Sequence, residues 1–142
     1  MLKIALFLAC GCVVIGPGAI QTTTARDVPA ALGGIWLAED IAHGGVIDFL
    51  ETTLEINDDG TYSGFAGCNS FTGTFDVGRK TIAFAPPEAT TRTCVPAVMD
   101  QEVKFLSALK EVRAWHIDGA KLVLEGPQAK TSVRLASHAR SS

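Results

Sequence analysis

Thr52-Thr-Leu-Glu-Ile-Asn-Asp-Asp-Gly-Thr-Tyr-Ser-Gly-Phe65 reads as two short strands joined by a turn. Leu54 and Ile56 fall on one face of the first strand and Thr53 and Glu55 on the other, because successive strand side chains alternate sides. Asn57-Asp-Asp-Gly60 tolerates left-handed backbone and so reverses the chain. Its acidity also invites a calcium reading, but the alternating ligands and distant Glu of an EF-hand loop are missing. A plain hairpin is the expectation.

The same alternation extends in both directions. Ile35 to Ile41 forms a strand before the hairpin, and Phe71, Phe75 and Val77 alternate within another after it. Gly78-Arg-Lys80 turns the chain into Thr81-Ile-Ala-Phe84, which Pro86-Pro87 ends by removing ladder donors. One segment changes period. Val98, Phe105, Leu106, Leu109 and Val112 recur at helical spacing, and Pro96 suits a first helical turn. A helix over about 97–111 is expected, with Lys104 and Lys110 in water. Strands at 114–117, 121–125 and 131–135 then follow, separated by Asp118-Gly119 and Gly126-Pro127 turns. Strands, one helix and more strands predict an α+β domain, a curved and mainly antiparallel sheet of about eight strands packed against one principal α-helix.

Composition agrees with one ordinary globular domain. The chain has 142 residues, 47% hydrophobic, with 14 glycines and 6 prolines, and it exceeds the roughly 40 residues below which a core usually needs staples. Twelve basic against fifteen acidic residues, a net charge of −3, lack the basic excess of a nucleic-acid binder, so no nucleic-acid partner is expected.

The N-terminus carries an export pattern: Lys3, an uncharged apolar run from Ile4 to Ile20, then a polar stretch. A membrane-spanning helix is disfavoured because Gly16, Pro17 and Gly18 interrupt a run already short of roughly 20 residues. Thr23 and Ala25 fit signal-peptidase cleavage, which makes residues 1–25 the signal, 26–33 a linker, 34–136 the domain and 137–142 a tail. Alternatively, Cys10 or Cys12 is the acylated end of a lipoprotein signal, and only that lipid anchor would attach the chain to a membrane. Cleavage after Ala25 leaves Cys68 and Cys94, which read as a disulfide in an oxidising compartment. Two free thiols, or half of a metal site, are the alternatives. His43, His116 and His138 lie far from both cysteines in sequence, so no local spacing supports zinc.

A search for catalysis finds little. Neither Ser63 nor Ser70 makes a nucleophile elbow, and no phosphate loop or HExxH motif is present. His116 and Asp118 straddle a strand end; with Ser70 they form only a weak hydrolase candidate. The sequence therefore assigns no catalytic, cofactor-binding or metal-ligating residue. Phe65, Phe71, Phe75 and Phe84 are candidates to line an apolar ligand pocket, although filling a core is their ordinary role.

Glycines at 60, 64, 67 and 73 are dense for strands and suggest bends or close backbone approach around Cys68-Asn69. Asn69 suits backbone hydrogen bonding there. The pattern Gly64-x-x-Gly67-Cys68-Asn69-x-Phe71-x-Gly73-x-Phe75 resembles the signature of META domains, the family that includes HslJ-like bacterial envelope proteins. Trp36, Thr91-Arg92-Thr93-Cys94, Glu102-x-x-Phe105-Leu106-x-x-Leu109 and Leu122-Val-Leu124 continue the resemblance in order, over about 34–135. The resemblance implies a small α+β fold, an envelope location often reached as a lipoprotein, links to heat shock and novobiocin resistance, and paired cysteines at 68 and 94. It brings no catalytic activity. The expected function is a non-enzymatic exported binding module whose partner is an envelope protein or a small apolar ligand.

Overall fold

The computed structural model describes residues 27–139. The export signal, the lipidation candidates Cys10 and Cys12, and the end of the tail lie outside the described residues. Among these residues nine strands and one α-helix follow in order: β1 Gly34–Ile41, β2 Thr53–Ile56, β3 Thr61–Phe65, β4 Ser70–Val77, β5 Ile82–Phe84, β6 Glu88–Ala89, α1 Pro96–Glu111, β7 Ala114–Asp118, β8 Lys121–Glu125 and β9 Thr131–Ser137, with a single 3-10 turn at Pro127–Ala129 before β9. All pairings are antiparallel, in the order β5-β4-β3-β2-β1-β9-β8-β7, with β6 beside β4.

The sheet curls until its ends meet. Thr81 bridges Ala114, the Ile82 amide donates to Arg113 O at 3.1 Å, and the Trp115 amide donates to Lys80 O at 3.0 Å. The sheet is thus a nearly closed barrel. Helix α1 touches β1, β5 and β9. Because β5 lies on the opposite side of the barrel from β1 and β9, the helix crosses one end.

The hairpin at 52–65 forms as expected, with Leu54 and Ile56 buried and Ile56 opposite Tyr62. The acidic turn is an ordinary one: Asp59 accepts from the Thr61 hydroxyl at 2.6 Å and from its amide at 2.9 Å. The Thr61 hydroxyl foremost, then its amide, hold the exposed Asp59 carboxyl below its usual pKa. Pro86-Pro87 ends β5, but pairing resumes at β6, where Glu88 and Ala89 oppose Thr72 and Phe71. That strand is two residues long and carries no periodicity to read.

Three expected boundaries shift. Leu32, placed in a linker, is fully buried and accepts a 2.9 Å hydrogen bond from Trp36 Nε1, so the segment before β1 belongs to the core. The start of the expected tail continues β9: Ser137 pairs with Trp36, and the His138 amide donates to Ile35 O. The helix begins at Pro96, whose missing N–H costs nothing in a first turn. Its buried face is Gln101, Glu102, Phe105, Ala108 and Leu109, whereas Val98 and Leu106 are only half-buried. The apolar stripe alone misjudges this face because two polar residues, Gln101 and Glu102, belong to it.

The four phenylalanines do not line an open pocket. Phe71, Phe75 and Phe84 are buried and packed with Tyr62 and Phe105, at ring separations of 5.0–6.1 Å. Such contacts fill the interior at the spacing aromatic pairs prefer. Phe65 instead lies at the surface, 37% exposed.

Candidate functional site

The glycine-rich stretch places its signature residues where β3, β4 and α1 meet. Gly64 sits on β3 between Leu54 and Phe71. A Cβ there would lie 2.1 Å from Thr53 O and 2.6 Å from the Phe71 ring, so only glycine lets these strands approach. A Cβ on Gly73 would similarly strike the Tyr62 ring at 2.6 Å. Gly67, at φ +113°, turns the chain between β3 and β4. The Ala66 amide donates to Asn69 O at 2.9 Å, closing that turn.

This turn delivers Cys68 and Asn69 to the helix. Glu102, 6% exposed on α1, accepts hydrogen bonds from the Cys68 amide at 3.2 Å and the Asn69 amide at 2.7 Å, both on Oε2. Its Oε1 accepts from Asn69 Nδ2 at 2.7 Å. The rest of the Asn69 amide reaches the segment before the helix. Nδ2 also donates to Arg92 O at 3.1 Å, while Oδ1 accepts from the Arg92 amide at 2.6 Å and the Thr90 hydroxyl at 2.9 Å. Both donors and both acceptor sites of this amide are thereby used. Cys68 and Cys94 form a disulfide beside it, with Cα atoms 6.0 Å apart. At a sequence separation of 26 it contributes roughly 3.5 kcal/mol by loop-closure entropy.

The remaining signature residues divide simply. Trp36, Phe71, Phe105 and Leu109 are buried in the core, and Leu106 packs against it half-buried. The Thr91 and Arg92 side chains are exposed; what Arg92 contributes to the latch is its backbone.

Three polar residues escaped the sequence reading. Thr90 links Asn69 to the Ser70 amide, which donates to its hydroxyl at 3.2 Å. Gln101 donates to the Thr52 hydroxyl at 3.0 Å and accepts from the Ile47 amide at 2.7 Å. A detectable signal existed for Gln101: adjacent polar residues, Gln101-Glu102, interrupt the helical apolar stripe.

Tyr62 is the other buried polar side chain of note. Its side chain crosses the neighbouring strand β4 at Gly73 and its hydroxyl donates to Ala85 O, and burial pushes its pKa up to about 12. The weak hydrolase trio does not assemble. The carboxylate near His116 is that of Glu125, at 3.6 Å, while Asp118 ends β7 opposite Lys121 and Ser70 pairs with Phe65 at the start of β4. Among the described residues, no cluster of three His, Cys, Asp or Glu side chains is placed to hold a metal ion, and no helix is long and apolar enough to cross a membrane.

Together the contacts of Glu102, Asn69 and Cys68 form a latch: a carboxylate, an amide and a disulfide pin the helix to a glycine-tight sheet. Comparison with solved structures finds the same fold. An NMR structure of a protein from Burkholderia xenovorans matches with a TM-score of 0.61 at 19% identity, covering 96% of this chain and all of that one. A second NMR structure matches at 0.57 and 17% identity, over 72% of this chain and 87% of that one. The crystal structure of a DUF4847 family protein from Bacteroides vulgatus matches at 0.55 and 16% identity, over 79% and 97%. At such identities the likeness speaks for the fold alone. No curated protein matches the chain. The META domain family matches residues 30–139, which include every strand, the helix and the whole latch. The chain belongs to the META domain family.

Proposed function

We propose that this protein is exported to the bacterial envelope and acts there as a non-enzymatic binding module of the HslJ-like type, in stress or antibiotic tolerance. The observation that supports this reading most is how the signature side chains are spent. Asn69, Glu102, Cys68 and Cys94 bond to one another and to neighbouring backbone, so they hold elements together instead of presenting reactive groups. A rigid scaffold of this kind suits recognition on its outer surfaces, since its aromatic interior is filled. Export is supported by Lys3, the apolar run to Ile20 and the small residues Thr23 and Ala25. An intramolecular disulfide also suits an oxidising compartment.

Fractionation, intact mass and cross-linking test the proposal together. The envelope fraction is expected to hold a mature chain starting at Arg26, and cross-linking there should trap a specific partner. An acylated Cys10 or Cys12 would replace soluble release by lipid anchoring. Recovery only from the cytoplasm, or covalent labelling of Ser70 by a serine-directed fluorophosphonate, would overturn the reading.

A further inference from the structure

The flank of α1 that faces away from the latch carries two adjoining clefts. Both lie between the helix and the loop after β1, and both include Lys104. The larger, about 340 Å³, is lined by Lys104, Lys130 and His43 together with Ser107, Glu111 and Thr131. The smaller, about 280 Å³, is bordered by Val46, Ile47 and Ala97. A cleft holding two lysines therefore adjoins one edged by aliphatic side chains, with Lys104 common to both.

Two features mark this groove as built. Neither Lys104 nor Lys130 forms an ion pair among the described residues, although Glu111 lines the same cleft, so both ammonium groups are left without a contact partner. The opposing wall is also fixed in an uncommon shape. Ala42 and His43 have φ of 50° and 62°, a backbone conformation that side-chain-bearing residues rarely adopt. Asp40 holds it by accepting from the His43 amide at 3.1 Å and the Gly45 amide at 2.8 Å, while the Ala42 amide donates to Ser132 O at 2.8 Å. This loop is tied to both β1 and β9, which sets His43 at the cleft before any ligand arrives.

We propose that this groove binds a small amphipathic acid, with its single negative charge between Lys104 and Lys130 and its apolar chain along Val46, Ile47 and Ala97. The acid at each end limits the choice. Glu111 borders the larger cleft and Asp100 the smaller, so a polyanion meets repulsion that a monoanion with an apolar body avoids. The inference rests on the binding-module reading and supplies its ligand class.

Sodium octanoate titrated into the isotopically labelled protein tests it by NMR. Saturable shifts are expected at Ala42, Ser107 and Thr131 in the larger cleft and at Val46 and Ile47 in the smaller one. Lys104→Glu combined with Lys130→Glu should weaken binding by at least about tenfold, whereas Lys110→Glu, exposed on the same helix and lining neither cleft, should not. Ser107→Trp offers a second, steric block that leaves the charges in place. Octan-1-ol and inorganic phosphate, each lacking half the ligand chemistry, should both bind at least about tenfold more weakly than octanoate. The proposal is overturned if octanoate leaves those amides unshifted, if the double variant binds like Lys110→Glu, or if phosphate alone matches octanoate. Such a failure with an envelope partner still captured removes the groove and keeps the module. Cytoplasmic recovery or Ser70 labelling removes the module whatever octanoate does.

Discussion

Replacing Glu102 by alanine tests the latch most directly. The substitution leaves three buried donors, the Cys68 amide, the Asn69 amide and Asn69 Nδ2, without their common acceptor. Each unsatisfied buried donor costs about 1–3 kcal/mol, and Asn69 Nδ2 retains Arg92 O as a partner. The two backbone amides thus dominate, and a loss of about 3–5 kcal/mol is expected. Glu102→Gln keeps one oxygen for those two amides but turns an NH₂ towards Asn69 Nδ2, so its cost should be smaller, about 1.5–3 kcal/mol. Urea denaturation of the oxidised protein, followed by fluorescence of the buried Trp36 and Trp115, reads both values. Val103→Ala, on an exposed neighbouring position, is the control and should stay within about 0.5 kcal/mol. A double-mutant cycle with Asn69→Ala should show a coupling of about 1–3 kcal/mol. A Glu102→Ala midpoint equal to that of Val103→Ala, with an unchanged m-value, would refute the latch.

Other expectations follow from the same geometry. Cys68→Ser with Cys94→Ser should lower stability by about 2–5 kcal/mol, and thiol counting under denaturing, non-reducing conditions should find neither cysteine free. Leu109→Ala, at a fully buried position, should cost about 2–5 kcal/mol, against less than about 0.5 for the exposed Lys110→Ala; equal denaturation midpoints would remove the amphipathic assignment. Gly64→Ala should yield little folded protein, because its methyl would overlap Thr53 O; a native-like melting temperature would contradict the close approach. Tyr62 titrates near 12 in the fold against 10.0 in an unfolded chain, so the unfolded state loses its proton first as pH rises. The stability it supports is complete below pH 10 and falls by about 2–3 kcal/mol as pH climbs towards 12. Tyr62→Phe should flatten that part of a stability-against-pH curve.

The sequence by itself determined eight of the nine strands and the helix, because their signals are local. Alternation at Leu54 and Ile56 needs only the two-residue period of a strand, and the 57–60 turn needs only residues that tolerate left-handed backbone. The helix announced itself by a change of period, and its predicted start missed by one residue, within the usual uncertainty of helix ends. The signature also marked Cys68, Asn69, Cys94 and Glu102 as a set, without saying what each one touches. Tertiary structure decided everything that depends on distant partners. Glu102 meets the Cys68 and Asn69 amides from 34 and 33 positions away because the β3–β4 turn brings these donors to it, while Gln101 beside it meets Thr52 and the Ile47 amide. Barrel closure is equally non-local, since Thr81 and Ala114 meet only after the intervening helix has crossed the barrel end. The groove beside Lys104 combines residues from one face of the helix, the chain entering β9 and a loop held by Asp40. Periodicity records which way a side chain faces along its own element; which groups it then meets is settled by how the elements pack.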